Sequence, residues 1–291
     1  MRRPRILPYL LVAPTLLFVA AFTLLPLGEV LVGSLFKQKL NIPRFRHPVF
    51  AGFGNFVELF HDPEFLQVLA NTGIYVAVLI PLLLVAALGL AFLLEEKRVG
   101  VGFFRLAMFH PTVLPMVSAA TIWMFFLTPG YGLWNQALRF FGYAGPQNWI
   151  GNPSLALFGL ILVAFWKNVG FLMLFFLAGL QNLDRSVVEA ARLDGAGGLK
   201  LVAKVILPLI RRQTLFVTTI AFIGAFQTVD HVFVLTQGGP SGRSSLLLYY
   251  LWHMRFERMD VGGSDAVTVI IILALLAFTV TNFLVSEQHE K

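Results

Sequence analysis

The sequence predicts an all-α integral membrane protein with six transmembrane helices, and three observations carry that expectation. Uncharged apolar runs, longer than a soluble core requires, recur along the chain. Of the 291 residues, 57% are hydrophobic and only 13% charged, with a mean hydropathy of +0.78. Basic residues gather at the ends of the apolar runs, where they orient spans, rather than on a solvated face. The net charge of +7 therefore does not read as a nucleic-acid surface. No cysteine is present, which excludes disulfides, thiolate catalysis and Cys-based metal sites.

A helix needs about 20 apolar residues to cross a hydrocarbon core about 30 Å thick. The first span is expected at about 6–28, too long for a signal-peptide core and with no convincing cleavage site after it. The second falls at about 69–94, inside the uncharged stretch from Leu66 to Leu94, and the third at about 106–127. The fourth, about 155–180, is interrupted only by Lys167. The fifth, about 213–235, follows Arg211 and Arg212 and contains Asp230; the sixth lies at about 266–285. Pro81, Pro111 and Pro115 read as kinks or span starts, and Glu29 as a solvated interface charge.

An even count puts both termini on one side. Cytoplasmic termini leave inside three basic residues before the first span, three between 95 and 105, six between 181 and 212, and Lys291. Outside stay Lys37, Lys39, Arg44, Arg46, Arg139, Arg243, Arg255 and Arg258. The inside excess favours that orientation, most strongly at 181–212. Residues 1–291 read as one membrane domain without a soluble appendage or internal repeat. The outside loops, about 37–65, 129–154 and 236–263, hold turn formers such as Pro43, Gly52, Gly130, Pro146 and Pro240. Tyr131, Trp134, Trp149 and Trp252 suit the membrane interface.

The loop at 181–212 carries the most information. Ser186 and Glu189 have capping-box spacing, and Asp184 is a second possible cap. Val187, Val188, Ala191 and Leu193 give the short helix an apolar side, and Gly195 offers a stop. A second short helix is expected from about Leu199, with Pro208 opening the next span. The result is a helix–turn–helix knob on the cytoplasmic side, a shape that docks into grooves of partner proteins.

Glu189-Ala190-Ala191, three residues, Gly195, nine residues, then Val205-Ile206-Leu207-Pro208 resembles the EAA loop of permease subunits in binding-protein-dependent ABC importers. That pattern usually has isoleucine where Val205 stands. Leu7-Pro8-Tyr9-Leu10 through Pro14, Gly52-Phe53-Gly54-Asn55-Phe56, Pro129-Gly130-Tyr131-Gly132-Leu133-Trp134-Asn135 and Leu235-Thr236-Gln237-Gly238-Gly239-Pro240 are similar to the carbohydrate and glycerol-3-phosphate branch of that family. The matches extend from near residue 7 to about 260.

The resemblance implies a type I ABC importer permease fold in the inner (cytoplasmic) membrane, carrying a sugar or glycerol-3-phosphate-like solute inward by alternating access. It implies a second permease subunit of a different kind, with a homodimer left open, two cytoplasmic ATPases that use ATP-Mg, and an extracytoplasmic solute-binding protein. Glu189, Ala190, Ala191, Asp194, Gly195, Leu207 and Pro208 become the ATPase-coupling residues. Gly238, Gly239 and Pro240 make a tight turn that the resemblance places outside, near the cavity and the binding protein.

Ionisable groups inside a span mark a pathway or a partner. Lys167 reads as a contact to a polar or anionic solute, as one member of an ion pair with an acid on another span, or as a snorkelling side chain. The resembling family lines its solute cavity from the middle of the fourth and fifth spans. That makes Asn168, Phe171, Gln227 and Thr228 pathway residues, with Lys167 and Asp230 beside them, and interhelical hydrogen bonding is the other reading for each.

No G-x-x-x-x-G-K-[ST] loop is present, so the chain is expected to be non-catalytic, to bind no cofactor and to leave ATP hydrolysis to a partner. The six histidines show no metal-ligand spacing, and no metal is expected. His231 beside Asp230 reads as a proton relay or an interfacial pair. The partners are protein and membrane lipid, with no nucleic acid. An ion-gradient-driven secondary transporter is the alternative, but such folds often show internal repeats, and it leaves the 181–212 loop unexplained. A membrane-embedded enzyme needs clustered polar groups at one depth, and only isolated ones are visible.

Overall fold

The computed structural model describes residues 6–95, 99–143 and 147–287. The basic residues before the first span, Lys97, Arg98, Pro146 and Lys291 lie outside them.

Helix α1 (Ile6–Val19) runs through a π-helical turn into α2 (Leu25–Gly33), and Pro26 sits just beyond that turn. A two-residue hairpin follows, β1 (Phe36–Lys37) against β2 (Val49–Phe50), antiparallel with Phe36 opposite Phe50. Then come α3 (Gly54–His61), α4 (Pro63–Glu95), α5 (Val101–Val113), α6 (Met116–Leu127), α7 (Leu133–Phe140) and α8 (Ala156–Gln181). Short α9 (Arg185–Leu193) and α10 (Gly198–Leu201) lead through a second π-helical turn into α11 (Leu207–Leu209). Here too a proline, Pro208, stands two residues past the wide turn, where its missing N–H removes one helical hydrogen bond. The chain ends with α12 (Arg211–Gln227), α13 (Asp230–Leu235), α14 (Leu247–Trp252) and α15 (Val261–Glu287).

Four helical stretches are long and apolar enough to cross a bilayer: Tyr9–Gly33, Pro63–Glu95, Ala156–Gln181 and Val261–Leu284. Two bent pairs, α5 with α6 and Gly198–Leu209 with α12, bring the number to six when each pair is one span. The expected third span is thus two helices meeting at 101°. The cause is in the sequence. Leu114 precedes Pro115, a position barred from helical geometry, and both residues are extended. The expected fifth span also breaks, at extended Thr228, where two β-branched residues, Thr228 and Val229, adjoin.

The chain separates into two compact units: residues 1–66 with 251–273, and residues 67–250 with 274–291. In the first, Asn55 is buried and donates to the Ser34 and Phe36 carbonyls at 2.8 and 2.9 Å, tying α3 to the strand entry. Lys39 pairs with Asp260 at 2.9 Å and with Glu58 at 3.1 Å, and Arg258 pairs with Glu64 at 2.6 Å.

The second unit is built around α8. Tyr75, Leu79, Leu83, Ala87 and Ala91 form a buried stripe of α4 at four-residue spacing, the stripe an amphipathic helix turns inward. They share a core with Leu160, Val163, Leu172, Met173 and Phe176 of α8 and Val217 and Ala221 of α12. Gly170 brings α8 against α5: a Cβ there would collide with the Met108 backbone carbonyl, so only glycine permits the approach. Asn282 of α15 donates to the Leu215 carbonyl and to Thr219 at 3.1 and 2.5 Å, and Phe222 stacks flat on Phe278 at 3.6 Å.

Candidate functional site

A cavity of about 240 Å³ opens in the second unit between α4, α8 and α12, next to the break at Thr228. Leucines of α4, Met116 of α6, and Ile220 and Ala221 of α12 make its apolar walls. Its polar positions are Tyr75, Lys167, Asn168 and Thr228, and Phe171 supplies an aromatic side. Four of the expected pathway residues, Lys167, Asn168, Phe171 and Thr228, therefore line one space. Gln227 and Asp230 do not line it; both are exposed. The break at Thr228 shifts the register that a continuous fifth span would have kept.

Lys167 has a defined job. Its Nζ donates to the carbonyls of Pro111, Thr112 and Leu114 at 3.3, 3.1 and 2.6 Å. These are carbonyls at the C-terminal end of α5, which the bend leaves without helical partners. An ammonium carries three donors, so all three are engaged. The Thr112 hydroxyl in turn donates to the Lys167 carbonyl at 2.9 Å. Of the readings open for Lys167, the ion pair with an acid on another span is not what forms among the described residues: the partner is a helix end, where a cation is favoured by the dipole.

Asn168 donates to the Ala164 carbonyl one turn back at 2.8 Å, leaving its own oxygen as an acceptor without a partner among the described residues. Phe171 packs edge-on to Phe175 with centroids 4.9 Å apart. His231, expected beside Asp230 as a relay or pair, instead lies fully buried between two hydroxyls, Tyr75 at 3.2 Å and Thr228 at 3.3 Å. Tyr75 and Met116 were not expected in the cavity. Tyr75 had a signal: it is the sole tyrosine in the uncharged stretch of the second span.

The 181–212 loop forms the expected helix–turn–helix. Asp184, not Ser186, is the N-cap of α9, accepting from the Ser186 backbone N–H at 2.9 Å and from its hydroxyl at 2.8 Å. These bonds hold the Asp184 carboxyl below its ordinary range, the hydroxyl contributing most. The capping-box reading is thus corrected: Ser186 already lies inside the first turn, which leaves Glu189 exposed. The helix ends in a Schellman motif. Ala196 N–H bonds the Ala191 carbonyl at 2.9 Å and Gly195 N–H that of Arg192 at 3.0 Å, with Gly195 at φ +83°. Asp194 sits at the C-cap and, like Ala190, is exposed.

The expected single apolar side divides. Val188 and Ala191 pack on the core, while Val187 and Leu193 face outward, Leu193 being 89% exposed. A groove of about 240 Å³ runs between the end of α4 (Phe92, Glu95), the end of α8 (Leu180) and the charged face of α9 (Arg185, Glu189, Arg192). Leu207 borders the core and Pro208 is exposed at the entry to α12. Gly238, Gly239 and Pro240 lie in a loop after α13 whose Gly242 and Ser245 carbonyls accept from buried Asn71 at 2.7 and 3.0 Å. Among the described residues no His, Asp and Glu cluster suits a metal ion.

The family of binding-protein-dependent transport system inner membrane components matches residues 50–287. The chain is 32% identical over 278 residues to the probable ABC transporter permease protein YurN of Bacillus subtilis (strain 168), covering 94% of each. It is 35% identical over 280 residues to the sn-glycerol-3-phosphate transport system permease protein UgpA of Yersinia enterocolitica, covering 95% of this chain and 92% of that protein. In fold it is similar to a chain of a bacterial ABC transporter involved in the import of the acidic polysaccharide alginate. That match has a TM-score of 0.82 at 18% identity and covers 98% of this chain and 96% of the other. A second structure, of bacterial alginate ABC transporter in complex with alginate pentasaccharide-bound periplasmic protein, matches at a TM-score of 0.79, again at 18% identity, over 98% and 95% of the two chains. With apolar spans along its length and these matches over most of it, the chain belongs to the binding-protein-dependent transport system inner membrane components, as a multi-pass permease subunit of an ABC importer.

Proposed function

We propose that this permease carries a hydroxyl-bearing solute, of the sugar or glycerol-phosphate kind, into the cytoplasm by alternating access. The observation that carries the reading is the cavity at the Thr228 break, where Lys167, Asn168, Phe171 and Thr228 come together. An aromatic face suits a sugar or polyol backbone, and paired donors and acceptors suit its hydroxyls. At about 240 Å³ the cavity holds a small solute. The relatives named for glycerol phosphate and alginate transport support the same class.

The chain itself is non-catalytic and binds no cofactor. It works with a second permease, a solute-binding protein outside and two ATPases inside that use ATP-Mg, with both its termini cytoplasmic. The 181–212 loop is the ATPase-docking element. Glu189 stands exposed between Arg185 and Arg192 on the groove wall, and Leu193 and Leu199, 89% and 87% exposed, offer apolar contact. Gly195 ends α9 sharply, which keeps the knob compact as closing ATPases push it.

Uptake into proteoliposomes holding the whole complex and its binding protein tests this. Glycerol 3-phosphate, glucose and maltose are offered with ATP at the ATPase face and with all ion gradients collapsed. Uptake of one of them under those conditions is expected. Uptake that needs a gradient instead of ATP overturns the reading.

A further inference from the structure

Three buried or half-buried side chains form one hydrogen-bond chain behind the cavity. The Tyr75 hydroxyl lies 3.2 Å from His231 Nε2, and His231 Nδ1 lies 3.3 Å from Thr228 Oγ1. Tyr75 and His231 have no exposed surface, whereas Thr228 is half-buried on the cavity wall. Among the described residues these three side chains have no other hydrogen-bond partner. Asp230 next door is exposed and does not bond the ring.

The burial fixes the direction of the chain. A buried hydroxyl must place its proton on an acceptor, since leaving it unpaired costs about 1–3 kcal/mol. Among the described residues the one acceptor within reach of Tyr75 is His231 Nε2. A neutral imidazole has one acceptor and one donor nitrogen, so Nδ1 carries the hydrogen. Nδ1–H then donates to Thr228 Oγ1, and an oxygen that accepts this bond keeps its own proton for another partner. Thr228 therefore faces the cavity as a donor. Asn168, its amide N–H₂ turned back to Ala164, offers an acceptor on the same cavity. The Lys167 ammonium is fully engaged by three carbonyls. With the buried Tyr75 hydroxyl turned to His231, what the cavity presents is one donor and one acceptor, the complement of an alcohol.

We propose that His231 is a positioning residue: held by Tyr75, it fixes Thr228 as a hydrogen-bond donor to the solute and so selects an uncharged hydroxyl-bearing part, a sugar ring or polyol, at that place. This rests on reading the cavity as the solute site.

The test uses the reconstituted complex with saturating solute-loaded binding protein and the same three probes, uptake being scored per ATP hydrolysed. Thr228→Val and His231→Leu are each expected to lower it about tenfold, the effect of one well-placed hydrogen bond to a solute. Because both act through one bond, the double variant is expected to be no worse than either single one. Thr228→Ser and His231→Gln are expected to recover most of the uptake, since glutamine can accept from Tyr75 and donate to Thr228. A packing role for His231 gives the opposite order, with leucine tolerated better than glutamine, and that order, or multiplicative losses in the double variant, overturns the proposal. Thermal unfolding of each complex is followed in parallel. Should His231→Leu unfold, Tyr75→Phe carries the test: freeing the ring to take either tautomer is expected to cost about twofold, and an unchanged rate overturns the proposal. A wild-type complex that moves none of the probes with ATP removes the cavity reading itself, which separates the two failures.

Discussion

The Lys167 ammonium lies 2.6 Å from the Leu114 carbonyl, at the residue where Pro115 forces the third span to bend. A lysine in mid-span thus holds a helix end in place of the missing next turn. Lys167→Met leaves three carbonyls without their donor and is expected to destabilise the permease by about 2 kcal/mol. Thermal unfolding of the purified complex measures it. Unchanged stability with lost uptake of glycerol 3-phosphate would return Lys167 to the role of anion contact.

Gly170 permits α8 to touch the Met108 carbonyl. Gly170→Ala is expected to cost about 1–3 kcal/mol, because the obstacle is backbone and α5 must move as a body. Gly224, which meets nothing within 4 Å, gives the matched control: alanine there is expected to leave the unfolding temperature within a degree or two of wild type on the order of surface changes.

Asn71 ties the second span to the loop that follows Pro240. Asn71→Leu removes both donors to the Gly242 and Ser245 carbonyls and is expected to cost about 2 kcal/mol. Protease cleavage between residues 238 and 246 should rise with it, and equal cleavage in both proteins would mean the loop is held by other contacts.

Glu58 sits between Lys37 at 2.5 Å and Lys39 at 3.1 Å. The Lys37 hydrogen bond, opposed by burial, holds its carboxyl below the usual value near 4.5. Burial lowers Lys39, but Asp260 and Glu58 outweigh it and leave the amine raised above 10.5. The carboxylate's contribution is present above its ordinary pKa and lost as pH falls through the lowered one; the lysine's is present below 10.5 and lost only as pH rises beyond it. The β1–β2 hairpin should therefore hold at neutral pH and loosen only in acid, as pH falls below the ordinary 4.5 and through the lowered value. The chain has no cysteine, so a spin label at His47→Cys reports on this hairpin alone. Its mobility should rise in acid in the wild-type background and already at pH 7 in Glu58→Gln. No change across that range would show that the ion pairs are screened to insignificance.

Much of the fold was legible because lipid leaves little choice: uncharged runs of span length can only be helices in a bilayer. The bend at Leu114 was legible in Pro115, and the stop of α9 in Gly195. The break at Thr228 carries no proline to announce it, so the fifth span read as continuous, and of the two neighbours that the resemblance named there, Thr228 lines the cavity and Gln227 does not. Asp184 and Ser186 both offered a cap, and which one serves depends on where the chain turns into the helix, two residues either way. Lys167 with Pro111 and Tyr75 with His231 are separated by 56 and 156 residues in the chain. Pairings of that kind arise where α8 packs on α5 and where α4 meets α13, and no local pattern announces them.

Whether the 181–212 loop couples this permease to ATP hydrolysis is read from solute-stimulated ATPase activity of the co-expressed complex with its binding protein. Wild type is expected to be stimulated by one of glycerol 3-phosphate, glucose or maltose. Glu189 is exposed and has no side-chain hydrogen bond among the described residues, so Glu189→Ala is expected to lose most of that stimulation at an unchanged unfolding temperature. Full stimulation in Glu189→Ala, or a permease with which no ATPase co-purifies, would mean that the loop is a structural hairpin and not the coupling element.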